Sequence, residues 1–426
     1  MVSESLPFSV SPATGAEIPH FDATLAEVSR GLDWLRAAYD RNTLELLRIP
    51  ERRDDLTEAR EAAEALSKNT SVVAVLGIGG SSLGGQALAD LLPFGSTHAP
   101  RVIFFDNIDP VTFDAALKSF DLRTARFVAI SKSGGTAEPL AQTLAAADAI
   151  DRAGGGKYLK HHFTVVTEPG SNPLRAFAES IGCAILDHPV GVGGRYSVLT
   201  VVGMLPALLM GLDAEALRKG AAETLATILS GAEARDVPSA AGAALHHALA
   251  RAGRLRETVL WSYADKLKTF GPWWRQLWAE SLGKDGKGTT PVAALGPVDQ
   301  HSQLQLFLDG PDDALYTMLT TDTAHRGPGI PAARADALGL SYLSGKTMGD
   351  LVAAEARATA ETLAKRGRPV RRIHAPKLDE RTLGSLMMHF MLETILMGRL
   401  MGVDPFDQPA VEEGKVLARK YLAARA

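Results

Sequence analysis

Six stretches of the sequence gather polar groups that packing alone does not call for. In Ser131-Lys132-Ser133-Gly134-Gly135-Thr136, three hydroxyls, two glycines and a lysine follow an apolar run at a strand end. A phosphate needs such donors: backbone N–H groups, short hydroxyls and a point positive charge. A capped helix with a solvated lysine is the competing reading, but a cap needs one hydroxyl rather than three. Gly77-Ile78-Gly79-Gly80-Ser81-Ser82 is a second glycine loop, set between a strand-like run and a helix. It can aim backbone N–H groups at an anion, although glycine turns also serve plain strand-to-helix packing. Neither loop is a Walker motif. The spacing also misses the dinucleotide fingerprint, whose third glycine would stand at Ser82.

The other four stretches carry proton-transfer and charge-stabilising side chains. In residues 273–284, WWRQLWAESLGK, Gln276 and Glu280 are four apart and share a helix face. Trp274 and Trp278 are expected on an adjoining face, with Gly283 just past the helix end. Apolar neighbours and the negative end of the helix dipole would both favour a protonated carboxyl, moving Glu280 toward the range of a general base. A surface ion pair with Lys284 is the alternative. In Asp299-Gln300-His301-Ser302-Gln303, Asp299 is expected as an N-cap with His301 in the first turn. The imidazole there would be neutral and able to exchange protons near pH 7, unless it is simply structural. Gly193-Gly194-Arg195 precedes a helix that Ser197 is expected to cap. An arginine after two glycines can approach a developing oxyanion, or be a surface arginine in a turn. In residues 406–415, FDQPAVEEGK, Pro409 and the acidic residues mark a helix start. Gln408 and Lys415 are seven apart and face one way, though Lys415 also reads as a solvated lysine. His161-His162 and His246-His247 are adjacent pairs that point apart, and no H-E-x-x-H or C-x-x-C occurs, so no metal site is expected.

These stretches need a scaffold that brings strand ends together. Residues 1–20 carry three prolines and a glycine and read as irregular; helices follow near 25–35 and 56–67. Apolar runs at 72–76, 102–105, 127–130, 162–166 and 183–186 alternate with helical patterns, which means a parallel sheet flanked by helices. Ligands bind such sheets at the carboxyl ends of the strands, where both glycine loops lie. After a helical region at 213–253, runs at 258–263, 291–295, 315–319 and 370–374 restart the alternation. A second sheet domain is the simplest account, with a boundary near 211–240. Residues 321–339 read as a surface loop or a linker arm.

Composition removes several classes. The 46% apolar and 22% charged content suits a globular protein with an ample core. A net charge of -4 without a basic block argues against nucleic acid. One cysteine, Cys183, cannot form an internal disulfide, which suits the cytosol. Residues 1–10 show no signal-peptide pattern. The longest apolar stretch, 198–212, falls short of the ~20 residues of a membrane span and contains Pro206.

Taken together, the six stretches resemble those of the glucose-6-phosphate isomerase (phosphoglucose isomerase) family, short bacterial-type form, in the same chain order from Gly77 to Lys415. GVGGRYS and PFDQPAVEEGK are similar to the two family signatures; GIGGSSLG, SKSGGTAE, QLWAESLGK and DQHS support them. The resemblance implies an α/β fold of two sugar-isomerase (SIS) domains, each a mainly parallel sheet in three α/β/α layers. The division expected is an N-terminal helical segment 1–70, domains 71–215 and 216–400, and a C-terminal helix 401–426 carrying the active-site lysine. The reaction implied is reversible isomerisation of glucose 6-phosphate and fructose 6-phosphate, by ring opening and a cis-enediolate, in glycolysis and gluconeogenesis.

Carried over by motif, Ser131, Lys132, Ser133 and Thr136 would bind the phosphate. Gly80, Ser81, Gly194, Gln276 and Gln408 would line the sugar. His301 and Lys415 would open the ring, Glu280 would move the proton between C2 and C1, and Arg195 would stabilise the enediolate. No cofactor or metal is implied, and the expected assembly is a cytoplasmic homodimer with His301 supplied across the interface. Two departures stand out. Gly135 occupies a place where many relatives carry threonine, and the chain is shorter than the long form of the family. A dual phosphoglucose/phosphomannose isomerase stays open, as does a non-catalytic sugar-phosphate-binding regulator. The latter would have no use for Glu280, His301 and Lys415 together.

Overall fold

The computed structural model describes residues 6–424. Among them the chain forms ten strands and fifteen α-helices. It opens with β1 (Ser9–Thr14), α1 (Phe21–Asp40) and α2 (Asp54–Ser67). A first sheet follows, made of β2 (Val72–Leu76), β3 (Arg101–Phe105), β4 (Arg126–Ile130), β5 (Phe163–Thr167) and β6 (Ala184–Asp187). Its connections hold α3 (Leu83–Ala89), α4 (Pro110–Ser119), α5 (Ala137–Arg152) and α6 (Pro173–Ile181). Next come α7 (Val201–Leu209), α8 (Ala214–Leu229) and α9 (Pro238–Arg251). The second sheet takes β7 (Glu257–Ser262), β8 (Thr290–Leu295), β9 (Ala314–Thr320) and β10 (Val370–His374). Between its strands lie α10 (Phe270–Leu282), α11 (Leu304–Asp309), α12 (Ala332–Ala337) and α13 (Met348–Lys365); α14 (Glu380–Met401) and α15 (Glu412–Ala423) follow.

All nine apolar runs form strands within a residue or two of the expected positions. β2 and β5 are buried at every position, as strands covered on both faces must be. The first sheet has the order β3-β2-β4-β5-β6 and is wholly parallel. The second has the order β8-β7-β9-β10-β1 and repeats that winding. In each sheet the first connection leaves the starting strand, β2 or β7, to one side and the second returns to its other side. The switch point lies between β2 and β4 in one, and between β7 and β9 in the other. A crevice for ligands opens at such a point.

The N-terminus departs from expectation. Residues 9–14 are not irregular: β1 pairs antiparallel with β10, Ser9 opposite His374. The register shifts between Ser11 and Thr14, the stretch that holds Pro12, and an outermost strand tolerates a residue without an N–H. α1 packs on α9 and α14, whereas α2 packs on α7.

Sequence periodicity marks no element at α14, yet every residue from 382 to 398 is buried. It lies against α8, α9, α10 and α1. Two glycines let α8 and α14 touch backbone to backbone: a Cβ on Gly220 would meet the Arg381 carbonyl oxygen at 1.8 Å, and one on Gly384 would meet that of Leu217 at 1.9 Å. Within this core Arg371 binds Glu393 through both terminal nitrogens, at 2.8 and 3.0 Å. His389 lies 3.1 Å and His246 3.5 Å from the same carboxylate. Burial opposes the charge on Glu393, but Arg371 and His389 outweigh it and hold the carboxyl well below its usual range. Burial pushes His246 down to about 4. Among the described residues, no helix is long and apolar enough to cross a membrane.

Two helix N-termini at the switch points differ. Thr136 precedes α5 without any side-chain cap bond. Thr347 caps α13 in a reciprocal box with Asp350, whose carboxylate accepts from the Thr347 N–H and hydroxyl and from the His325 N–H.

Removing one partner of a buried ion pair strands the other charge, at about 3–5 kcal/mol. Glu393→Ala should therefore lower the unfolding free energy in urea by that amount. The histidine sets a pH window. Its folded pKa of about 4 lies below the ordinary 6.5, so the unfolded chain takes up the proton first. Stability should be full above pH 6.5 and fall toward pH 4, and His246→Gln should flatten that slope in melting curves.

Candidate active site

The phosphate-type loop is built by the meeting of β4 and β5. The Ser131 N–H donates to the Val166 carbonyl, and the Gly134 N–H closes a turn on the Ser131 carbonyl. Gly134 has φ +60, and a Cβ there would lie 1.7 Å from Asn172 Oδ1, so only glycine fits. Asn172 in turn caps α6 through the Arg175 N–H. The Ser131 hydroxyl, nearly buried, donates to Thr136 Oγ1 at 3.1 Å, and Ser133 Oγ lies 3.5 Å from the same atom. Lys132 has a third of its side chain exposed, and its Nζ lies 3.4 Å from Glu168 Oε1. Three of the expected donors, the hydroxyls of Ser131, Ser133 and Thr136, therefore meet at the uncapped start of α5, where the backbone N–H groups add the positive end of a helix dipole. Gly135 leaves open space around its Cα, with only the Ser133 carbonyl within 4 Å of a Cβ.

The second loop faces it across the switch point, because Leu76 of β2 pairs with Ala129 of β4. Residues 79–81 form a 3-10 turn, and so do residues 194–199. The two turns touch at glycines. A Cβ on Gly80 would lie 2.2 Å from the Gly194 carbonyl carbon, and one on Gly79 would lie 2.7 Å from Gln276 Nε2. Ser197 does not cap a helix as expected; its hydroxyl donates to the Gly194 carbonyl, and Thr200 caps α7 instead. The cause is the 3-10 turn, which delays the start of the α-helix.

Arg195 emerges from this contact buried, with 2% of its side chain exposed. Nε donates to Ser281 Oγ at 2.8 Å, Nη1 to Gln408 Oε1 at 2.7 Å and to Glu280 Oε2 at 3.4 Å, and Nη2 to the Pro405 and Asp407 carbonyls at 2.6 and 2.9 Å. All five N–H donors of the guanidinium are used. Tyr196 stands behind it: its hydroxyl donates to the Pro405 carbonyl and meets Ser281 Oγ at 3.0 Å. Burial keeps that phenol protonated, pushing it up to about 12. Neither Tyr196 nor Ser281 stands out by residue type, although both lie inside the motifs singled out above.

Glu280 accepts from Gln276 Nε2 at 2.9 Å, confirming the shared face. The indoles are elsewhere. Positions two apart on a helix differ by roughly 200°, so Trp274 and Trp278 face away from Gln276 and Glu280. Trp278 packs on His246 and Trp274 on Phe390, in the core. Glu280 instead has 35% of its side chain exposed, between an arginine and an amide. Lys284 does not pair with it either; it binds Asp407 at 2.8 Å and the Asp404 carbonyl, tying the end of α10 to residues 404–407. At the other end, Asp90 accepts the Thr269 N–H at 2.6 Å and links α3 to the start of α10.

Two expected members stand apart. Asp299 is not a helix N-cap: Oδ2 accepts the Leu295 N–H, and Oδ1 accepts from Ser302. His301 ends a 3-10 turn, is exposed, and precedes α11 rather than lying in it. Lys415 is half-exposed and binds Glu412 at 2.6 Å on α15, a helix with no buried residue. The turn at 409–411 and the acidic first turn of α15 do match expectation. Gln408 reaches the site through Arg195. Ser81 lies in the 79–81 turn at the edge of the crevice.

The chain matches the family described as phosphoglucose isomerase over residues 55–425. It is 40% identical over 376 residues to the glucose-6-phosphate isomerase of Rubrobacter xylanophilus, covering 87% of each chain. The solved structure of a hypothetical protein from Thermus thermophilus is similar at TM-score 0.86 and 35% identity, over 97% of this chain and 100% of that one. A glucose-6-phosphate isomerase structure from Chlamydia trachomatis shares the fold at TM-score 0.77 and 24% identity, over 89% of this chain and 78% of that one.

The contact between the two glycine turns sets a test on stability alone. Gly80→Ala forces a methyl into the Gly194 backbone, and overpacking of this kind costs about 1–3 kcal/mol. The urea midpoint should drop accordingly; an unchanged midpoint would mean that the turns are free to part.

Proposed function

The chain belongs to the phosphoglucose isomerase family, and from that premise we propose that it interconverts glucose 6-phosphate and fructose 6-phosphate in the cytoplasm. The supporting observation is Glu280, a carboxylate open to solvent, bonded to Gln276 and held against the buried Arg195 beside the switch point of the first sheet. Glu280 takes the proton from C2 of the open-chain aldose. Negative charge moves to the carbonyl oxygen and gives a cis-enediolate; returning the proton to C1, with the proton of the C2 hydroxyl passing to the oxygen on C1, leaves the ketose. The carbon oxidised and the carbon reduced belong to one sugar, so no external electron acceptor is needed. Arg195 offers Nη1 to the developing charge. Its bond to Glu280, at 3.4 Å, is the longest of its five and the easiest to exchange.

Ser131, Lys132, Ser133 and Thr136 hold the phosphate at the start of α5. Gly80, Ser81, Gly194, Gln276 and Gln408 line the sugar, where the close approach of the two turns leaves backbone rather than side chains. His301 and Lys415 open the ring, His301 from the partner chain of a homodimer. What supports the shared site is that His301 is exposed, while the partners of Glu280 and Arg195 within the chain are other residues. Lys415 is close in sequence to Gln408, whose amide is fixed on Arg195, so α15 starts at the rim of the site.

Turnover of fructose 6-phosphate in a coupled assay, with mannose 6-phosphate alongside, separates this reading from a dual isomerase and from a non-catalytic binder. Glu280→Gln keeps the shape but takes no proton, so kcat should fall by about 10²–10⁴ with little change in KM. The variant should still speed anomer interconversion while failing to exchange the C2 proton with deuterium; normal exchange would move the base to another residue. His301→Ala and Glu280→Gln chains, each nearly inactive, should regain activity when unfolded and refolded together. Verified heterodimers that stay dead would place the whole site within one chain.

A further inference from the structure

Glu168 is a carboxylate placed where an anion is meant to bind. It follows β5, beside β4, and its N–H donates to the Lys132 carbonyl at 3.0 Å. The Thr167 hydroxyl donates to that same carbonyl at 3.2 Å. The Glu168 carbonyl accepts from Asn172 Nδ2 and from Arg175 Nε, both at 3.2 Å. The backbone is therefore fixed, and the side chain is directed at Lys132: Oε1 lies 3.4 Å from Nζ, with a quarter of the Glu168 side chain exposed. The other ionisable groups nearby do not take up this position. Arg175 is paired with Asp187. His188 is pushed down to about 4 by burial, with the Lys132 charge acting in the same direction, so it stays neutral.

We propose that Glu168 opposes the phosphate group and weakens every ligand held by this loop, so that a bare phosphate, with no sugar contacts to offset the opposition, is not retained. This rests on the phosphate-loop reading given above. An ionised carboxylate has acceptors only, as does a phosphate dianion, and no hydrogen bond can form between them. Both compete for the one ammonium. The spacing of 3.4 Å exceeds the roughly 2.7–2.9 Å of a full charge-assisted bond, so Nζ is held but not saturated. A phosphate arriving at the start of α5 must displace Glu168 from Lys132 and then remain near its charge. Inorganic phosphate has only the loop to bind. A sugar phosphate also contacts the Gly80–Gly194 crevice and offsets the opposition there. The opposition acts on substrate and transition state alike, so it belongs in KM rather than kcat.

The experiment measures KM for fructose 6-phosphate and competitive inhibition by inorganic phosphate in the full-length protein. Glu168→Gln, which has nearly the same shape, should lower both constants about three- to tenfold with kcat within about twofold. Retained turnover shows that the variant is folded. A raised or unchanged inhibition constant would overturn the proposal, a raised one assigning Glu168 to holding Lys132 in place. Lys132→Ala separates the two layers. If it raises KM while Glu168→Gln changes nothing, only this inference fails. If it changes neither constant, the phosphate-loop reading fails, and the inference with it.

Discussion

The guanidinium of Arg195 joins the two halves of this molecule. It leaves the glycine turn after the first sheet and spends every donor on oxygens from α10 and the segment before α15. A buried cation is tolerable only when so fully bonded. The requirement reaches outward. Ser281 must stay in register on α10, Tyr196 must brace the Pro405 carbonyl, and residues 405–408 must pass close by. Glu280 and Gln408 are thereby set on one nitrogen, Nη1, from elements far apart in the chain.

That convergence is possible because bulk is absent where backbones must meet. Gly79 and Gly80 admit Gln276 and the Gly194 turn, just as Gly220 and Gly384 let α8 lie on α14. α14 is the spine against which α10 is seated, through contacts of Trp274 and Phe270 with Phe390. The Asp90 to Thr269 bond then fixes the start of α10 relative to α3, and Lys284 with Asp407 fixes its end. The Glu280 face of α10 is oriented at both ends before any ligand arrives.

Much of this is legible in the residues. Strands buried on both faces announce themselves as short apolar runs, and all nine such runs are strands. The two loops at the carboxyl ends of β2 and β4 follow from alternation alone. Pairing of Gln276 with Glu280 follows from their spacing of four. What fails does so for physical reasons. Trp274 and Trp278 are expected beside Glu280, but an offset of two residues turns a side chain to the far side of the helix. Ser197 and Asp299 have the chemistry of caps, yet the Ser197 hydroxyl donates back to Gly194 within a 3-10 turn, and the Asp299 carboxylate is taken by the Leu295 N–H and the Ser302 hydroxyl. β1 carries a residue that usually breaks strands, Pro12, with Gly15 close behind, and is a strand only because β10 offers an open edge. α14 is buried all round and so has no polar face to give it a period. The exposed places of His301 and Lys415 owe little to the core of the chain, and core patterning is what spacing encodes.

The two sheets are wound alike, yet their switch points are not alike. At α5 the first turn is left uncapped beside hydroxyls and a lysine. At α13 the carboxylate of Asp350 fills the corresponding position, accepting three bonds and held down at about 2 by the Thr347 and His325 N–H groups. In effect the second copy carries its own anion, bound covalently and permanently. One winding thus ends in two different helix starts: one has no side-chain cap, and the other is occupied by a carboxylate of its own chain.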